Sequence, residues 1–266
     1  GDALVKQLSR GKSDYSLRMS GLGKPMCQQW HDKNESPKET QYNTIMRFLF
    51  GDIIEAIAMV VLKSANVNIE SEQERVNLDL DVCELNGTLD VVIDGKVWDI
   101  KSASPYAFSK KFGGEFGGYN KVKQDDTFGY LMQGYLYSKA KNMDFGGWIV
   151  VDKASGEWAV CEAPDYQEED SVEQLAKAKS NAKTMLQDKP LKKEFKDKEE
   201  TFRVQHGKRK GEIIATGNRV MHTVCGYCDY KAQCWPTAQL HKKVGTQATQ
   251  RPLVWYTKLK KREIEV

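Results

Sequence analysis

The chain has 266 residues, long enough for one large α/β domain or two small ones with a real core. With 40% hydrophobic and 29% charged residues it is globular in composition, and its formal net charge of +3 singles out no class of partner. No run approaches the roughly 20 apolar residues of a membrane helix, and the N-terminus lacks a signal-peptide core, so a soluble intracellular protein with no membrane partner is expected.

From the N-terminus, residues 1–38 read as irregular and hold Cys27 close to Trp30. Residues 44–63 have helical length and period, with Ile45, Phe48, Leu49, Ile53, Ile57 and Val61 as the expected buried side. Strands are expected at 74–80, 87–93 and 96–102. Residues 112–120, FGGEFGGYN, read as a glycine-rich loop. Its Phe112, Phe116 and Tyr119, beside Lys110, Lys111, Lys121 and Lys123, suit contact with bases and phosphates. A helix at 126–141 follows, then strands at 147–152 and 157–162. Residues 171–187 read as an amphipathic helix with Val172, Leu175, Ala176, Ala182, Met185 and Leu186 on its apolar side. Lys and Arg dominate 177–210 and the stretch from His241, read as a basic tail over 241–266. The order of elements predicts an α/β fold with a central mixed sheet flanked by helices.

Within this order, TLDVVIDGKVWDIK at 88–101 is the densest in chemistry. Asp94-Gly95 between apolar runs predicts a two-residue type I′ hairpin. Pairing around it sets Ile93 against Lys96, Val92 against Val97, Val91 against Trp98 and Asp90 against Asp99. That last pair would face each other with Cα atoms roughly 4.5 Å apart, and Lys101 shares the face of Asp99 by the period of two. Leu89, Val91, Ile93, Trp98 and Ile100 would form the opposite, apolar face. Two opposed carboxylates destabilise a sheet unless a cation sits between them, and a divalent metal such as Mg²⁺ suits hard oxygen donors. The preceding helix carries Glu55 one turn after Gly51, whose missing side chain leaves room beside it. The later helix carries Gln133 and Tyr137 on one face at i and i+4.

Gly51 and Glu55, then Gly87 and Asp90, then Asp99 and Lys101, then Gln133 and Tyr137 resemble the motif series of the RecB-like branch of the PD-(D/E)XK nuclease superfamily. The resemblance spans roughly the central 90 residues. It implies a restriction-endonuclease-like core at 44–190 within a single nuclease domain. It implies Mg²⁺- or Mn²⁺-dependent hydrolysis of phosphodiesters, with Glu55, Asp90, Asp99 and the carbonyl of Ile100 as metal ligands. Lys101 would position or activate the attacking water, and Gln133 and Tyr137 would hold substrate. Many relatives have histidine where Glu55 stands, which touches metal preference.

Cys225, Cys228 and Cys234 bring three thiols within ten residues, a metal-binding spacing. Cys27 is the best remaining fourth ligand, and His31, His222 or His241 would complete a zinc site instead. Cys83 and Cys161 read as buried structural thiols. The same spacing with one distant upstream cysteine resembles the iron–sulfur nucleases of this superfamily, the CRISPR-associated RecB-like exonucleases and AddB-type nuclease domains. That implies a [4Fe–4S] cluster on Cys27, Cys225, Cys228 and Cys234 clasping residues 1–43 to 200–240, with zinc as the alternative. The expected activity is a DNA exonuclease on single strands or duplex ends, with recombination, repair or CRISPR-adaptation proteins as partners, in the cytoplasm of a bacterial or phage-infected cell. A structure-specific endonuclease and an inactive cluster-bearing DNA-binding module are the alternatives.

Overall fold

Asp94 and Gly95 take positive φ values of 48° and 72°, the turn geometry a type I′ hairpin demands. The computed structural model describes residues 15–35, 42–187, 189–191 and 193–260. The chain divides into two compact units, Gly1–Lys189 and Pro190–Val266.

In the first unit, helices α1 (Met26–Asn34) and α2 (Tyr42–Ser64) precede strands β1 (Ile69–Glu72), β2 (Arg75–Asp79), β3 (Glu84–Thr88), β4 (Val91–Ile93) and β5 (Lys96–Ala103). A short helix α3 (Pro105–Ala107) runs into a π-helical turn (Phe108–Phe112), followed by α4 (Tyr119–Gln124) and α5 (Tyr130–Lys141). Strands β6 (Asp144–Asp152) and β7 (Trp158–Glu162) and helix α6 (Glu168–Leu186) complete it. The main sheet has the order β1-β4-β5-β6-β7; β5 and β6 run parallel and the other neighbours antiparallel. β2 and β3 pair as a separate hairpin.

The main sheet is therefore mixed, and helices cover both faces. On one face Ala58 and Met59 of α2 pack on Val91, Ile100 and Ile149. On the other, Met132 and Leu136 of α5 and Ala178 and Ala182 of α6 pack on Val92 and Val97. Leu131 and Tyr135 extend that layer over Phe145, Trp148 and Val150. Asp126 fixes where α5 starts, its carboxylate accepting from the Tyr130 and Leu131 N–H groups at 2.8 and 2.9 Å. Asn142, left-handed at φ 53°, ends it.

Several expectations change. Residues 15–35 are not irregular: they contain α1, and Met19 and Leu22 are fully buried in the core of the first unit. Residues 87–93 do not form one strand, because the chain leaves the ladder at Asp90. There the Leu89 N–H donates to the Glu74 carbonyl, and the Asp90 carbonyl accepts from the Gln73 N–H. Leu89 consequently joins Val92 and Val97 in the core, not Val91 and Ile100. The expected buried side of α2 is largely open: Phe48, Ile53, Ile57 and Val61 are exposed, with Phe50 and Val60 beside them. Val172 and Leu186 of α6 are likewise exposed.

In the second unit, β8 (Lys198–Arg203), β9 (Ile213–Val220), α7 (Thr223–Tyr227), α8 (Lys231–Cys234), β10 (Gln239–Lys242) and β11 (Leu253–Lys258) follow in order. The strands form an antiparallel sheet ordered β10-β11-β9-β8. The expected basic tail thus contains the end of β10 and all of β11; residues 261–266 lie outside the described residues. Among the described residues no helix is long and apolar enough to cross a membrane.

Candidate active site

β5 carries the centre of the site. Its ladder with β4 pairs Val91 with Trp98, Val92 with Val97 and Ile93 with Lys96, the register expected from the turn. Asp90 lies one step past the last pair, and its carboxylate does what a ladder carbonyl would have done. Asp90 Oδ2 accepts the Ile100 N–H at 2.7 Å. The two carboxylates are therefore not a strand pair, yet they remain electrostatic neighbours. Burial pushes the Asp90 pKa well up, and the nearby charge of Asp99 adds to it.

Asp99 is 1% exposed and projects from β5 toward α5, the side on which Val97 packs. Lys101 Nζ donates to Asp99 Oδ1 at 2.9 Å and lies 2.8 Å from Oδ2. Gln133 Nε2 also donates to Asp99 Oδ1, at 3.1 Å, and its Oε1 accepts from Lys101 at 3.3 Å. Asp99, Lys101 and Gln133 thus close a triangle between sheet and helix. Asp99 Oδ2 makes no hydrogen bond of good angle despite the nearby ammonium. Burial disfavours the charge on Lys101, but Asp99 and Asp90 outweigh it and drive its pKa up, so it is an ammonium at neutral pH.

Tyr137 is 3% exposed and lies against Gly87, where any Cβ would run into its ring. Its phenol is bonded to the side chain of Gln133, so it supports the triangle from the same helix. Burial, then the charges of Asp99 and Asp90, push its phenol up to about 12. Glu55 sits on α2, where its carboxylate is bound by the side chain of Gln73. Burial and Asp52 raise its pKa, while Gln73 and Lys101 act against them. A Cβ on Gly51 would meet nothing, so internal packing does not require glycine there.

Gln73 and Tyr130 escape sequence reasoning. Gln73 is left-handed at φ 50°, an uncommon state for a residue with a side chain, and it ties Glu55 through its amide and Asp90 through its N–H. No local pattern marks it. Tyr130 lies 5.4 Å from Lys101 Nζ, and its spacing of three from Gln133 on one helix was the available signal.

The two carboxylates of the hairpin offer the hard oxygens that suit Mg²⁺ or Mn²⁺, although the oxygens of Asp99 lie 2.9 and 2.8 Å from the Lys101 ammonium. Among the described residues, no three His, Cys, Asp or Glu side chains converge to hold a metal ion. The expected third carboxylate, Glu55, is turned to Gln73. The three cysteines of the second unit are placed by α7 and α8, with the Cys228 N–H donating to the Cys225 carbonyl at 3.2 Å. Burial raises the thiol pKa of Cys225 and Cys228, and the neighbouring Cys234 raises both further. Cys27 lies on α1 of the first unit. Cys161 is buried, as expected, and Cys83 is partly so.

The basic-aromatic segment is corrected in part. Phe112 and Tyr119 belong to the core, and the Tyr119 hydroxyl is bonded to Tyr135 at 2.6 Å and to Asp170 at 2.5 Å. Neither ring is open to a base. Lys123 is paired with the same Asp170. Lys110 lies over the exposed ring of Phe116 at 4.2 Å, and Lys121 is exposed.

No family model matches the chain, and no curated protein matches it. A solved structure, the crystal structure of SSO0001, is similar at 15% identity with a TM-score of 0.48, covering 88% of this chain and 94% of its own.

Proposed function

We propose that the chain is a divalent-metal-dependent deoxyribonuclease of the RecB-like PD-(D/E)XK kind, with a restriction-endonuclease-like core in its first unit. The observation that carries this reading is the Asp99–Lys101–Gln133 triangle beside Asp90, two buried or half-buried carboxylates and an ammonium held on one hairpin. Such a cost in desolvation and repulsion is what a cation and a phosphate would relieve. A bound Mg²⁺ or Mn²⁺ would supply an acidified water and charge neutralisation at the phosphate. Asp90 and Asp99 would hold it, with the Ile100 carbonyl beside them and Glu55 as a further carboxylate. Lys101, kept charged by its neighbours, stabilises negative charge on the phosphate and orients the nucleophile; it does not act as a base. Gln133 holds Lys101 and Asp99 in register.

The thiols of Cys225, Cys228 and Cys234 suit a soft metal centre; the family resemblance implies, with zinc as the alternative, a [4Fe–4S] cluster with Cys27 as fourth ligand. Its place would be structural, and visible absorption separates the two metals. DNA is the partner in either case.

Asp99→Ala and Lys101→Ala should each lower cleavage of end-labelled DNA in Mg²⁺ or Mn²⁺ by at least about a hundredfold while the circular dichroism spectrum is unchanged. Wild-type rates in either variant would remove the site assignment. A closed circular strand distinguishes the endonuclease, which cuts it, from the exonuclease, which does not.

A further inference from the structure

Outside the triangle, a line of rings and ammonium groups leads from the site to solvent. Lys101 Nζ lies 5.4 Å from the centre of the Tyr130 ring, and Lys111 Nζ lies 5.7 Å from the same ring. Lys111 is also 5.9 Å from the ring of Phe128, which is 42% exposed. The Phe128 and Tyr130 rings are 5.7 Å apart and tilted by 35°. Lys111 is held by the Asp125 carbonyl and makes no carboxylate ion pair among the described residues.

The backbone beneath this line is fixed. Gly129, at φ 76°, packs so closely on Gly23 that a Cβ at either would enter the other's backbone. The next N–H groups, those of Tyr130 and Leu131, are bound by Asp126. Phe128 is thus an exposed ring on a rigid turn, two ring contacts from Lys101.

We infer that Phe128 is a stacking platform for an unpaired base of a single-stranded DNA end, with Lys111 as the adjoining phosphate contact. This reading rests on the proposed nuclease site and names its substrate class. The chemistry favours a polyanion with π-faces: the neighbours of the Phe128 ring are the Lys111 ammonium and the Tyr130 phenol ring, not the apolar surround a protein partner's side chain would want. Inside a duplex, paired bases show only their edges, so away from a duplex end an exposed ring can stack only on an unpaired base. Lys101 is paired with Asp99, but the charge of Lys111 is left for a phosphate beside the Tyr130 ring.

The test is fluorescence anisotropy with the full chain and a labelled short oligodeoxythymidylate, with a relaxed closed circular duplex, which has neither end nor loop, as the competitor that reports duplex binding, all in EDTA. Phe128→Ala should weaken single-strand binding about tenfold or more and leave duplex binding unchanged. Phe128→Trp should keep the affinity, and its fluorescence should be quenched on binding. Lys111→Gln should reduce the slope of log affinity against log salt by about one. Undiminished single-strand binding by Phe128→Ala, an equal loss on duplex, or no single-strand binding by the wild type overturns the inference. Because no metal is present, the two readings fail separately. A wild type that binds through Phe128 but cuts nothing in Mg²⁺ or Mn²⁺ removes the nuclease; one that cuts while Phe128→Ala binds normally removes the platform.

Discussion

Asp90 is where the site costs the protein most. Its carboxylate is buried beside Asp99, and only the Ile100 N–H answers it directly. A carboxylate whose folded pKa is raised contributes stability that is present below its unfolded pKa and lost as pH rises through the folded value. At neutral pH Asp90 is therefore a penalty to the metal-free protein. Asparagine keeps an oxygen for the Ile100 N–H and removes the charge. Asp90→Asn should raise the Tm in EDTA by about 2–4 °C, on the order of 1 kcal/mol for a chain of this size, while abolishing cleavage. Mn²⁺ should raise the Tm of the wild type and leave the variant where it was. A variant melting at or below the wild type in EDTA would mean that Asp99 does not burden Asp90.

At the scale of elements, what was legible in the sequence was local. The Asp94-Gly95 turn dictated three ladder pairs, and the extents of α2 and α6 followed closely from their periodicity, whereas α5 starts at Tyr130 rather than at Asp126, which caps it from outside. The face of α2 was not legible, because Ala58, Met59 and Leu62, not its phenylalanines and β-branched residues, meet the sheet. Nor was the sheet of the second unit. β8 reads KEETFR, and its place is decided by hydrogen bonds to Glu200 from residues as distant as Tyr256. Gly87 shows a spacing motif acquiring a physical cause. It sits on β3 because Tyr137 of α5 occupies the space a Cβ would take. Gly87→Ala should cost about 1–3 kcal/mol in urea unfolding, as overpacking does. In the Gly87→Ala/Tyr137→Leu double variant the loss should be smaller than the sum of the two single losses. Strict additivity would show that the ring does not set the glycine.

For the whole molecule, the two units answer acid differently. In the first, burial raises Asp90, Glu55 and Asp126, whereas hydrogen bonds from lysines lower Glu74, Asp81 and, against its burial, Asp170. These contributions oppose one another as pH falls. In the second unit the shifted carboxylates go one way. Arg219 and Thr257 lower Asp197, and Glu200, despite its burial, is lowered by four donors. Those donors are the Tyr256 hydroxyl at 2.5 Å, the Thr216 hydroxyl at 2.8 Å, and the Asn218 amide and Gly245 N–H at 2.9 Å. This polar knot joins β8, β9 and β11 beside the buried Phe202, Val220 and Tyr256 of the second unit. A depressed carboxylate contributes stability that is present above its unfolded pKa and is lost as pH falls through the folded value. The loss should begin below about pH 4.5. Hydrogen exchange from pH 7 to 3, corrected for intrinsic rates, should therefore show β9 and β11 losing protection before β5 and β6. Glu200→Gln should remove about 2–3 kcal/mol from the second unit already at pH 7, since an amide nitrogen then faces donors. Equal loss of protection in both units on acidification would mean that Glu200 and Asp197 do not govern the second unit.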